Sequence, residues 1–176
     1  LVAAVPYLRE ADIRTPEAGE NPEIIQNKMA LGIAAHYKSV CDLATGLRTS
    51  FPGTRHVPLV VMGHLHVAGQ SVSSSERRLY IGGLGQVDGS ISPAEADYVA
   101  LGHLHKAQRL GDRPHFRYCG SPLQLGFDDA GQNKFVYIAK FPDIAGTPPE
   151  VTHIQVPVWQ RLDRVRGTSR DEIVAA

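Results

Sequence analysis

Four of the eight histidines stand in two copies of one short pattern, Gly63-His64-Leu65-His66 and Gly102-His103-Leu104-His105. Each copy follows an apolar run: Val57 to Met62, broken only by Pro58, and Tyr98 to Leu101 after Asp97. Neutral imidazole is a ligand for Zn, Mn, Fe, Ni and Cu. Side chains two apart in an extended chain leave on the same side, so His103 and His105 are spaced to hold one ion or to bridge two. Where two strand ends converge, their imidazoles pool. A lone histidine is more often a surface or core residue than a ligand, but the same pattern twice favours metal. A ligating imidazole must be neutral, so metal retention should fall as pH drops toward about 6. His36, beside Tyr37 with no companion nearby in sequence, reads as structural. Asp128 and Asp129 are further candidate ligands, although an acidic pair in a turn before Gly131 is usually just solvated.

The elements that would position these residues alternate between strand and helix. Leu1 to Leu8 is apolar and carries Pro6, which suits an edge strand. Residues 9 to 20 are polar and loop-like. Asn21-Pro22-Glu23 then combines an N-cap, a first-turn proline and a favourable acid. The long helix after it has an apolar stripe of Ile25, Met29, Ile33, Val40, Ala44 and Leu47, and Gly46 with Ser50 to Gly53 ends it. Val67 to Ser75 reads as a loop, Leu79-Tyr80-Ile81 as a strand after the basic pair Arg77-Arg78, and residues 84 to 96 as loop or short turn. The almost continuously apolar Tyr98 to Leu101 suits a strand covered on both faces. Lys106 to Leu110 and His115 to Cys119 form a hairpin about Gly111 to Pro114, and Lys134 to Phe141 and Val151 to Val158 are the last strands. Lys106, Arg109, Arg113 and Arg117 would place positive charge on or near the histidine rim, where an anion approaches. For Arg77 and Arg78 a solvated strand edge and a phosphate contact are both open. Gly167 to Glu172 reads as a capping box opening a helix.

At 176 residues, with 43% hydrophobic and 20% charged, the chain is expected to be a compact α/β protein. Lys plus Arg and Asp plus Glu are 18 each, so net charge does not mark a nucleic-acid binder, and any such role rests on local clusters. Two cysteines, Cys41 and Cys119, make no disulfide framework and suit a reducing cytoplasm. No apolar run reaches membrane-spanning length and no signal peptide is visible. The chain opens on Leu1, already shaped like an interior strand, and is expected to be a piece of a longer polypeptide.

Gly63-His64-Leu65, Gly85-Gln86-Val87, Asp97 to His105, and Arg117-Tyr118-Cys119-Gly120-Ser121-Pro122-Leu123 together resemble the SbcD family, the nuclease component of bacterial SbcCD, within the calcineurin-like metallophosphoesterases. The resemblance covers nearly the whole chain. It implies the C-terminal half of a four-layer α/β/β/α sandwich with mixed sheets over residues 1–155, and the start of a capping domain over residues 156–176. It also implies two metal ions, usually Mn, with Mg, Zn or Fe as alternatives. His64 and His103 would bind one ion and His105 the other, while His66 occupies a position where the family does not require histidine. The family's early motifs, which supply the remaining ligands and its catalytic histidine, have no match in these residues, so no catalytic residue is assigned here.

The function this resemblance implies is Mn-dependent hydrolysis of DNA phosphodiesters, as double-strand exonuclease and single-strand endonuclease in repair and recombination, with the two ions clamping the phosphate and acidifying a water. Implied partners are DNA and an SbcC-type ATPase subunit, in a homodimer within a heterotetramer. Arg77, Arg78, Lys106, Arg109 and Arg117 are the candidate phosphate contacts. Two other readings stand beside it. One is a different metallophosphoesterase, such as a small-molecule phosphatase or cyclic-nucleotide phosphodiesterase. The other is a non-catalytic piece that only binds DNA or a partner, since half of a ligand set leaves both ions under-coordinated.

Overall fold

The computed structural model describes residues 1–53, 56–67 and 95–175. Arg77, Arg78, the strand expected at Leu79 to Ile81 and the Gly85-Gln86-Val87 segment lie outside the described residues. One five-stranded sheet carries β1 (Val2–Ala4), β2 (Val60–His64), β3 (Tyr98–Gly102), β4 (Gln108–Leu110) and β5 (Arg113–Tyr118), in the order β1-β2-β3-β5-β4. Neighbours among β1, β2, β3 and β5 run parallel, and β4 returns antiparallel to β5 through the Gly111-Asp112 turn. The strands at the centre read as apolar runs because parallel strands are covered on both faces. Leu59, Val61, Val99 and Leu101 are accordingly buried in one cluster with Phe116 and Tyr118.

Two helices precede β2. Residues 9 to 20 depart from the loop expected of them: α1 (Glu10–Ile13) is a single turn closed by Asp12, whose carboxylate accepts from the Arg9 amide at 2.8 Å and from Arg9 Nε at 3.0 Å. One turn is too short to show a period, so composition alone reads as loop. α2 (Pro22–Thr49) begins where expected, with the Asn21 side chain accepting from the Ile24 amide at 2.9 Å. Its buried line is Met29, Ile33, Tyr37, Cys41 and Ala44, whereas Val40 is only partly covered and Leu47 is exposed. Steps of four from Met29 stay closest to the 3.6-residue period and put Tyr37 and Cys41 on the sheet side. Gly46 lies inside the last turn, and the helix ends at Thr49, with the Ser50 hydroxyl donating to the Leu47 carbonyl at 2.7 Å.

Asp97, the first residue of the second motif block, works at the opposite end of the sheet from the histidines. It accepts from the Leu59 amide at 2.7 Å and lies 2.9 Å from His56 Nε2 and 3.3 Å from Arg48 Nη1. It thereby ties the end of α2 and the approach to β2 onto the start of β3.

Beyond β5, β6 (Phe135–Lys140) and β7 (Glu150–Gln155) pair antiparallel as a separate two-stranded sheet. The chain after β7 is mostly exposed and ends in α3 (Arg170–Ala175). Its start realises the expected capping pattern: the Ser169 hydroxyl accepts from the Glu172 amide at 3.3 Å, and the Glu172 carboxylate accepts from the Thr168 amide at 2.7 Å. Both cysteines are free thiols, Cys41 buried and Cys119 exposed. Among the described residues no helix is long and apolar enough to cross a membrane.

Candidate metal centre

The histidines gather at the carboxyl ends of β2 and β3, the edge of a parallel sheet where α/β proteins bind ligands. His64 is the last residue of β2 and lies across the ladder from Gly102, the last of β3. Each glycine before a histidine makes room for something different. A Cβ on Gly63 would sit 1.9 Å from the Tyr37 hydroxyl, which α2 presses against the strand. A Cβ on Gly102 would sit 3.3 Å from His64 Nδ1, so this glycine leaves space for the neighbouring imidazole. His103 has φ of 109°, a left-handed conformation rare for a residue with a side chain and one that collects at functional sites. Strand alternation therefore does not govern how His103 and His105 leave the chain, because β3 has already ended at Gly102.

The ring centres of His64 and His103 are 5.3 Å apart, and those of His66 and His103 are 5.7 Å apart. Tyr7 approaches His64 edge-on at 5.9 Å. Two imidazoles bound to one ion through nitrogens at ~2.1 Å, at near-tetrahedral or octahedral angles, hold their ring centres roughly 4.5 to 5.3 Å apart. His64 and His103 fit that spacing, and His66 stands only slightly farther off, although the resemblance gave it no ligand role. His105 faces a carboxylate instead, with Nδ1 3.7 Å from Asp129 Oδ2. Burial lowers the His64 pKa and favours the neutral, ligating form. The donor set is a partial one: among the described residues no group of three or more His, Cys, Asp or Glu side chains is arranged to hold an ion.

Several residues that hold the histidine loops in place carry no signal in their type alone. Tyr118 is fully buried, and its hydroxyl donates to the Leu65 carbonyl at 2.7 Å while accepting from the Val67 amide at 3.0 Å. The Ser121 amide donates to the His105 carbonyl at 3.1 Å. Gly120, with φ of 78°, passes so close that a Cβ would lie 2.6 Å from that same carbonyl. Tyr118, Gly120 and Ser121 all lie in the Arg117 to Leu123 block, so the block has a physical role: it clamps both histidine loops. Lys134 reinforces the second of them, its ammonium donating to the His105 carbonyl at 3.1 Å and to Asp129 Oδ1 at 2.8 Å.

Asp129 is a correction to the reading of a solvated turn pair. It is 0% exposed and also accepts from the Leu125 amide at 2.9 Å. Burial pushes its carboxyl upward in pKa, but the bonds from Lys134 and Leu125 and the nearby positive charge outweigh that and hold it below the usual carboxylate range. Asp128 is half-buried and pairs with the exposed Arg164 at 2.9 Å.

The basic residues separate likewise. Lys106 and Arg109 are exposed, Lys106 directly after His105. Arg113 opens β5 at the end away from the histidines, with its guanidinium 5.0 Å from the Phe116 ring centre. Arg117 does not present itself to a phosphate: it is 7% exposed, its Nε donates to the Pro114 carbonyl at 2.8 Å, and its guanidinium lies 4.9 Å from the Tyr137 ring centre. Side chains stand perpendicular to a sheet, and the cover on this one comes from Tyr137 of β6 in the second sheet.

A mainly parallel sheet with helical cover and imidazoles pooled at two adjacent strand ends is a partial metallophosphoesterase-like α/β fold. No family model matches the chain. It is 36% identical over 167 residues to SbcD, the nuclease component of SbcCD, of Escherichia coli K12, an alignment covering 95% of this chain and 40% of that protein. The SbcD of Rhodobacter capsulatus is 32% identical over 178 residues, covering 99% of this chain and 41% of the relative. That of Bacillus subtilis 168 is 44% identical over 80 residues, covering 45% and 20%. The chain is therefore SbcD-like over nearly its whole length, and spans about 40% of the length of the first of these curated relatives.

Proposed function

We propose that the chain forms part of a nuclease subunit that hydrolyses DNA phosphodiesters at a centre for two divalent ions, Mn foremost. The observation that supports this is the meeting of His64 and His103 at adjacent strand ends, with ring centres 5.3 Å apart, in a chain whose relatives carry the name of a nuclease subunit. His64 and His103 serve one ion and His105 the other, and the remaining donors come from outside residues 1–176. When bound, the ions supply positive charge against the phosphate and acidify the attacking water. The chain's own part is to hold neutral imidazoles at fixed separation, which Tyr118, Ser121 and the burial of His64 do. Lys106 and Arg109 offer phosphate contacts that carry no base information and weaken with salt. Arg77 and Arg78 join them on the strength of the sequence alone. The relatives' name, a subunit of SbcCD, supports an SbcC-type ATPase as partner, with the assembly in the cytoplasm acting on DNA ends in repair and recombination.

The test uses the intact protein with its ATPase partner and Mn, offered duplex DNA ends in parallel with a small phosphate ester. Expected is degradation of ends with little sequence preference, lost when Mn is chelated. Efficient turnover of the small ester with no attack on DNA would replace this reading with that of a small-molecule phosphatase.

A further inference from the structure

The buried Asp129–Lys134 pair is expensive to keep. Two charges removed from water regain their hydration only in part from each other, and an apolar pair of similar volume usually stabilises a core as well or better. Both members nevertheless converge on one residue. Lys134, 6% exposed, donates to the His105 carbonyl at 3.1 Å as well as to Asp129 Oδ1 at 2.8 Å. Asp129 turns its other oxygen, Oδ2, toward His105 Nδ1 at 3.7 Å, a charge contact rather than a hydrogen bond. The Ser121 amide shares the same His105 carbonyl, so the backbone of this histidine is fixed from two sides while a carboxylate stands at one ring nitrogen. The Leu125 amide holds Oδ2 in turn at 2.9 Å, which keeps the carboxylate from swinging away.

We infer that Asp129, locked by Lys134, is a positioning residue for His105: its carboxylate favours the proton on Nδ1 and leaves Nε2 as the nitrogen presented to a metal ion. This rests on the proposal that His105 is a ligand. A carboxylate behind a metal-binding imidazole sets the tautomer and ring orientation and raises the basicity of the ligating nitrogen, and losing such a partner typically weakens metal affinity about 10- to 100-fold. Asp129 and Lys134 are placed directly against His105, so they act first on the ion that His105 would serve. Removal of Asp129 should therefore weaken one ion and spare the other.

The experiment titrates Mn into the intact protein by calorimetry, with electron paramagnetic resonance counting bound ions. It compares wild type, Asp129→Asn, the apolar double variant Asp129→Leu with Lys134→Met, and His105→Ala, with thermal melts of each in chelator. Expected for Asp129→Asn is about a 10- to 100-fold loss at one of two sites. Expected for the double variant is the same selective loss with a melting temperature close to wild type. If the double variant recovers both stability and full two-ion affinity, the pair is only a structural lock and the inference falls. It falls equally if Asp129→Asn keeps both affinities while His105→Ala loses one. Should His105→Ala itself leave both ions in place, the ligand reading of His105 fails first and takes this inference with it.

Discussion

In the first Gly-His-Leu-His segment the strand runs through Gly63 and ends on His64, whereas in the second it stops at Gly102 and His103 has already turned to φ of 109°. Gly63 answers to a phenol behind the sheet, Gly102 to an imidazole beside it. The intervening leucines are alike, Leu65 and Leu104 both buried as anchors. The chain just past each leucine is held differently: the loop after Leu65 hangs from the Tyr118 hydroxyl, while His105 is gripped through its carbonyl by Ser121 and Lys134. Four letters repeated in order thus take two different local structures, which the proposed centre would use as complementary contributions rather than as two copies of a site. His66 marks the difference most clearly, since it leans toward His103 at 5.7 Å while its counterpart His105 faces Asp129.

The strongest way to break this comparison is to remove the paired positions one at a time in the intact protein. His64→Ala should lower Mn-dependent cleavage of duplex ends by more than the ~100-fold typical of losing an outer partner, and His66→Ala should leave most of it. Equal losses, measured as initial rates at saturating Mn, would show that the first segment binds as a pair. Next in size is Gly63→Ala, whose methyl must displace the Tyr37 hydroxyl and should cost about 2–3 kcal/mol in denaturant unfolding. Gly102→Ala, meeting only the tip of an imidazole, should cost less. Adding Tyr37→Phe should recover part of the Gly63→Ala loss, because the phenol oxygen is the nearest obstacle to the new methyl. Tyr118→Phe comes third: it orphans the Val67 amide and the Leu65 carbonyl and should cost roughly 1–3 kcal/mol, with faster amide exchange in the first histidine loop than in the second.

The smallest effect lies away from both segments and serves as their control. Hydrogen bonds from Lys28 and then Arg14 hold the Glu20 carboxyl at about 2. Its folded pKa is below the ordinary 4.5, so its contribution is complete above that value and is lost as pH falls toward 2. Amide exchange across the junction of α1 and α2 should rise over that acid window, and Glu20→Gln should reduce that pH dependence, the rest coming from Asp12 on Arg9, while leaving the histidine loops as they were.

The parallel core strands are legible in the sequence because burial on both faces writes unbroken apolar runs, and α2 is legible from Asn21-Pro22 and its stripe. α1 is not, because a single turn held by Arg9 and Asp12 has no period. Two of the histidines, His64 and His103, are found by spacing and do come together, but the reasoning from strand alternation fails at His103, where the backbone has left the strand. Asp129 is invisible for a different reason: whether a carboxylate in a turn is solvated or buried depends on Lys134 and on a loop from elsewhere in the sheet. Arg117 misleads in the opposite direction, since alternation along β5 is visible in sequence but the packing of Tyr137 from the second sheet over its guanidinium is not.

The hydroxyl of Tyr118 also sets an order of events. It reaches back 51 residues to Val67 and 53 to Leu65, and the loop closure needed for contacts so distant makes them slow to form. A chain emerging from the ribosome N-terminus first exposes His64 long before the phenol that fastens its loop exists. The first imidazole therefore waits on the second half of the chain, and a nascent polypeptide halted before Tyr118 should have β1 and α2 available for packing but no fixed geometry at Leu65 to Val67. Fixing of the histidine-bearing edge is in this sense a late step in the making of the protein.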